Sequence, residues 1–138
     1  MPVPTWQEFM VPTLEVLRDG QVRRLRELYA LVANKVGLSE SERAERLSAG
    51  DIKHENRIGW ATSYLTRVAA LDRPSRGQYV ITEVGRKLLT EHPYGITEQD
   101  LRTLAEGNGQ PRYARALEQR HSDRRRYRYG VRYRVGSD

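Results

Sequence analysis

Cysteine is absent from the 138 residues, so neither a disulfide framework nor a thiolate metal site is available. Histidine is scarce, and His54, His92 and His121 are too scattered for a zinc site, which needs ligands at tight spacing. No apolar run approaches the ~20 residues needed to span a bilayer. The opening MPVPTWQEF lacks the basic-then-apolar pattern of a secretory signal. There is no glycine-rich loop followed by Lys-Ser/Thr and no serine-nucleophile motif. Asp51-Ile52-Lys53 matches the acid-x-lysine half of a metal-dependent nuclease site. It lacks the strand framework and further acidic ligand that would hold a divalent ion. The sequence therefore predicts no catalytic residue, no metal, no cofactor and no membrane partner, and these absences point to the cytoplasm.

Charge is present in abundance and is unevenly placed. Up to Pro111, 15 basic and 15 acidic residues cancel. From Arg112 onward nine arginines stand against Glu118, Asp123 and Asp138, which accounts for the whole formal excess of +6. The body of the chain must rely on local patches, whereas its end is the strong electrostatic element.

The densest structural signal runs from Asn56 to Leu89. Ile58, Ala61, Leu65 and Val68 recur at helical spacing and predict an apolar stripe. Asn56, Trp60, Ser63 and Arg67 fall on the opposite side, and their groups can reach base edges and phosphates in a DNA groove. Leu71-Asp72 predicts a short strand and Pro74-Ser75-Arg76-Gly77 a turn. Gln78-Tyr79-Val80-Ile81 is rich in strand formers. Thr82 then caps a helix carrying Val84, Leu88 and Leu89. Arg73 and Arg76 would make the hairpin tip cationic. Helix, basic hairpin, helix is the core order of a winged helix. The predicted fold class is mostly α with a small β-hairpin: a winged helix-turn-helix with a C-terminal helical and basic extension.

Upstream, Thr5-Trp6-Gln7-Glu8 fits a capping box for a helix with Phe9, Leu14 and Leu17, which Pro12 should kink or restart. Gln21-Val22-Arg23 is the candidate first strand. Leu25, Leu28, Tyr29, Val32 and Val36 trace a helix that Gly37 ends. Ser39-Glu40-Ser41-Glu42 opens a short helix to Leu47. Lys53 and His54, at the approach to the Asn56 helix, are candidate phosphate neighbours. Thr97-Glu98-Gln99-Asp100 caps a last helix with Ile96 and Leu101 as its staple. The domain reading is a winged helix over 1–106, a linker at 107–111 and an Arg/Tyr-rich extension over 112–138.

In that extension Arg126, Arg128, Arg132 and Arg134 alternate with Tyr127, Tyr129, Val131, Tyr133 and Val135. Together with Arg124 they form a cationic element for phosphate, either as a strand with an arginine face or as a disordered basic tail, and base stacking on the tyrosines is a second functional reading. Two residues carry alternatives. Arg57 is bidentate to guanine, a phosphate clamp, or a salt-bridge partner of Glu55 or a neighbouring acid. Trp60 packs on a base methyl or sugar, or is partly buried against the hairpin or Tyr64.

The ordered set Gly50, Asn56-Arg57-Ile58-Gly59-Trp60-Ala61, Tyr64-Leu65, Leu71, Arg76-Gly77, Ile81-Thr82-Glu83 and Gly85-Arg86 resembles the N-terminal domain of Mrr-type restriction proteins. Pro12, Leu14, Asp19-Gly20, Leu25-Arg26-Glu27 and Gly37-Leu38-Ser39 extend the resemblance over roughly residues 5 to 100. It implies a DNA-binding module, usually joined to a C-terminal nuclease domain that cuts DNA bearing modified bases. No such domain follows in these residues, so the expected role is recognition without catalysis. The implied partners are double-stranded DNA carrying modified bases and a nuclease domain or subunit. A homodimer stays open, as do a sequence-specific transcriptional regulator and a protein-interaction winged helix.

Overall fold

Short polar side chains, Ser39, Thr82 and Thr97, each accept from an opening amide of the helix that follows. Thr5 and Glu8 exchange backbone and side-chain hydrogen bonds at 2.8 and 3.2 Å, which orders the turn before helix α1 (Met10–Val16). Pro12 lies in the first turn of α1, where its missing N–H costs no intrahelical bond, so the helix runs through it. A single 3-10 turn, Leu17–Asp19, ends at Gly20. Strand β1 (Arg23–Arg24) leads directly into α2 (Leu25–Val36), which stops at Gly37. The Ser39/Glu42 box opens α3, which covers only Glu40–Ala44 instead of reaching Leu47. Helix α4 (Lys53–Arg67) starts three residues before Asn56. Strands β2 (Leu71–Ser75) and β3 (Gln78–Ile81) follow, then α5 (Glu83–Glu91), capped by Thr82, and α6 (Glu98–Gly107). This computed structural model describes residues 3–107. Gly107 closes α6; the rest of the expected linker and the 112–138 extension lie outside the described residues.

The three strands form an antiparallel sheet in the order β1-β3-β2. That order, with α1, α2 and α4 in mutual contact, is a winged-helix-like, mostly helical arrangement. The hairpin turn is shorter than the sequence implies. Pro74 and Ser75 belong to β2, and only Arg76-Gly77 form the turn, with Gly77 at φ +73°. Proline is admissible there because β2 is an edge strand, and the register shifts between Asp72 and Ser75 as a bulge.

The core sits where α1, α2 and α4 meet. Phe9, Leu14, Leu25, Leu28, Ile58 and Leu65 are fully buried, and Leu88 of α5, Leu101 of α6 and Ile96 between these helices close it. The predicted stripe of Ile58, Ala61, Leu65 and Val68 faces inward throughout. Among the described residues no helix is long and apolar enough to cross a membrane.

Candidate nucleic-acid interface

Helix α4 carries one polar arc. At 100° per residue, Glu55, Asn56, Ser63, Thr66 and Arg67 share about a third of its circumference, and all five are half-exposed. Asn56, Ser63 and Arg67 therefore lie together as the sequence predicts. Arg67, in the last turn, forms no ion pair among the described residues.

Three residues expected at this surface are placed elsewhere. Trp60 is only 5 % exposed. Its ring lies 6.4 Å from that of Tyr64, which stacks on Trp6 at 4.1 Å and 17°. Arg57 does not reach outward either. Its Nη1 donates to the carbonyl oxygens of Val3 at 2.8 Å and Pro4 at 3.0 Å. The cause is shared: the N-terminal segment lies along this edge of α4, with Val3 itself buried. His54, the second residue of α4, is 6 % exposed and its Nδ1 has no hydrogen-bond partner among the described residues. Burial, reinforced by the positive charge of Arg43, holds its pKa below the usual histidine range. It is a neutral imidazole inside the fold, not a phosphate neighbour. Lys53 stays half-exposed, with its Nζ 3.4 Å from Glu45 Oε1.

Arg57 thus has a structural role that a helical wheel does not suggest. Arg57→Ala is expected to cost about 2 kcal/mol, since two charge-assisted hydrogen bonds are lost. Arg57→Lys should recover little, because a point ammonium cannot reproduce the guanidinium geometry. Arg67→Ala should stay within about 0.5 kcal/mol of the parent. Urea unfolding of the three variants checks this. A fully stable Arg57→Ala protein with weakened DNA affinity would return Arg57 to direct contact.

The hairpin supplies the second half of the surface. Arg73 and Arg76 are exposed on β2 and at the turn. Strand β1 adds to them, for Arg24 sits opposite Gln78 and the Leu25 amide donates to the Gly77 carbonyl at 2.9 Å. Arg24 and Arg26 are exposed beside that turn. Arg23 is held back by Asp19 at 2.8 Å. The Gln21 amide and then Arg23 keep the Asp19 carboxyl below the usual range, so this pair is ionised at neutral pH. Four exposed arginines from distant parts of the chain therefore gather at the turn end of the sheet. The sequence reading missed Arg24 and Arg26. The run Arg23-Arg24-Leu25-Arg26 was a signal, but only the β1–β3 pairing puts it next to the hairpin.

Among the described residues no group of three or more histidine or carboxylate side chains is arranged to hold a metal ion. Arg124, Arg126, Arg128, Arg132 and Arg134 lie outside the described residues.

The Mrr N-terminal domain family matches residues 6–91. Over 106 residues the chain is 33% identical to the Type IV methyl-directed restriction enzyme EcoKMrr of Escherichia coli (strain K12). The aligned region covers 76% of this chain and 35% of that enzyme, so the chain spans about a third of the relative's length. No solved structure matches the chain.

Proposed function

The chain belongs to the Mrr N-terminal domain family, and from that premise we propose that it binds double-stranded DNA as the recognition module of a modification-dependent restriction system. The observation that carries the reading is the pairing of two surfaces. The half-exposed arc of Asn56, Ser63 and Arg67 on α4 offers hydrogen-bonding groups of the size a major groove admits. The arginines at the hairpin turn offer charge for the flanking backbone. The arc supplies base contacts and the hairpin, with Arg24 and Arg26, supplies position. Arginines of the 112–138 extension add affinity that does not depend on sequence. A 5-methyl group on cytosine projects into the same groove, where the half-exposed Thr66 methyl is available to meet it. The name of the Escherichia coli relative supports methylated DNA as the target. Cleavage belongs to a nuclease domain or subunit acting with this module.

A competition assay tests the proposal with matched duplexes that are unmodified or carry 5-methylcytosine, 5-hydroxymethylcytosine or N6-methyladenine. One modified duplex should be preferred by about tenfold or more, the discrimination a good base contact gives. Equal affinity for all four would leave a general DNA binder. Failure to bind any duplex at low ionic strength would remove DNA as the partner.

A further inference from the structure

Several ordered turns in this protein carry an acid three residues in, and each folds back on the opening amide. Glu8 accepts from Thr5 N at 2.8 Å, Glu27 from Arg24 N at 2.9 Å, Glu42 from Ser39 N at 2.8 Å and Asp100 from Thr97 N at 2.8 Å. Glu55 holds the same position in α4, behind Ile52, and does not fold back. Among the described residues its carboxylate accepts no hydrogen bond and forms no ion pair. The positions one helical turn to either side are Asp51 and Gly59, so neither offers a cation. Arg46 supplies the opposing charge, but its Nη1 is committed to the Gly50 carbonyl at 2.8 Å. Half-burial pushes the Glu55 carboxyl upward, and Arg46 offsets this only in part.

This carboxylate is costly twice over. A half-buried carboxylate that Arg46 only partly compensates gives the fold less than a paired one would, and on a helix that faces a polyanion it repels phosphate. Both costs are offset if it meets a donor. The donors that a major groove presents are the exocyclic amino groups, N4 of cytosine and N6 of adenine. A helical side chain covers the turn preceding its own Cα, so the missing side chain at Gly59 leaves Glu55 uncovered on the arc. We propose that Glu55 determines specificity, accepting a hydrogen bond from the exocyclic amino group of cytosine or adenine in the major groove, beside Asn56. The inference rests on the DNA-binding reading above.

The test is selection of binding sequences from two randomised duplex pools, one unmodified and one with 5-methylcytosine in place of cytosine. The full chain, Glu55→Ala and Glu55→Gln are compared. The parent should enrich cytosine or adenine at one position, and the base enriched identifies which amino group is read. Glu55→Ala should lose that preference by roughly ten- to a hundredfold, yet bind the unselected pool as tightly or more tightly, because a negative charge is gone. Glu55→Gln keeps a carbonyl acceptor and should retain part of the preference. The inference is overturned if Glu55→Ala enriches the same base as strongly as the parent, if it weakens on every sequence alike, or if the parent enriches no base. A parent that binds neither pool at low salt sinks the DNA-binding reading along with it. Binding to the unselected pool therefore separates that failure from a failure of Glu55 alone.

Discussion

Gly85→Ala is expected to destabilise the protein by about 3 kcal/mol or more, a large share of the stability of a domain of this size. A Cβ built at Gly85 would collide with the carbonyl oxygen of Ala70, and would lie 2.9 Å from Ile81 Cγ1 and 3.1 Å from the Ala70 carbonyl carbon. Backbone atoms cannot swing aside as a flexible side chain can. The Ala70 carbonyl also accepts from the Thr82 amide at 3.2 Å, and Thr82 Oγ1 donates to the Ala69 carbonyl at 2.6 Å. The same hydroxyl accepts from the Gly85 amide at 3.1 Å. Fitting a methyl group would pry α5 from the junction between α4 and β2. Gly95→Ala is the internal control: nothing lies within 4 Å of its Cβ position, and it should stay within about 0.5 kcal/mol of the parent. Thermal or urea unfolding of both variants decides the matter. Equal midpoints would mean that α5 is not seated at that junction.

The second large effect is on affinity. If about five phosphates are engaged, log K against log salt should slope near −4.5, and binding should weaken by roughly two to three orders of magnitude between 50 and 200 mM salt. Replacing both Arg73 and Arg76 with alanine should reduce the slope by roughly two, at about 0.9 per phosphate. Arg24→Ala and Arg26→Ala should each reduce it by about one. Arg57→Ala should leave the slope unchanged, because that guanidinium is held by Val3 and Pro4. Titrations over a salt series provide the measurement, and a parent slope near zero would end the electrostatic account.

Local chemistry was legible in the sequence. The Thr5/Glu8, Ser39/Glu42 and Thr97/Asp100 boxes, the Thr82 cap and the inward stripe of α4 all rest on contacts within a turn or two, where residue identity decides the outcome. The hairpin was legible, but its tip was displaced. Proline ordinarily signals a turn, and only the edge position of β2 lets Pro74 remain in the strand. The outer limits of the α4 surface were not legible. A helical wheel assigns Trp60 and Arg57 a side but cannot say whether another segment covers it. Here that segment is the N-terminus, more than 50 positions away. Arg24 and Arg26 escaped notice for the same reason, since their neighbourhood is made by pairing across the sheet. The arc that survives is narrower than the sequence implies, and it includes the carboxylate of Glu55.

The junction around Thr82 ties the end of α4, the start of β2 and the cap of α5 through bonds of 2.6 to 3.2 Å. Under the DNA-binding proposal, helix and hairpin would meet a duplex as one template, with a fixed span between groove and backbone. The adjustment would then fall to the nucleic acid, and sequences that bend or narrow readily would be favoured even at base pairs no side chain touches.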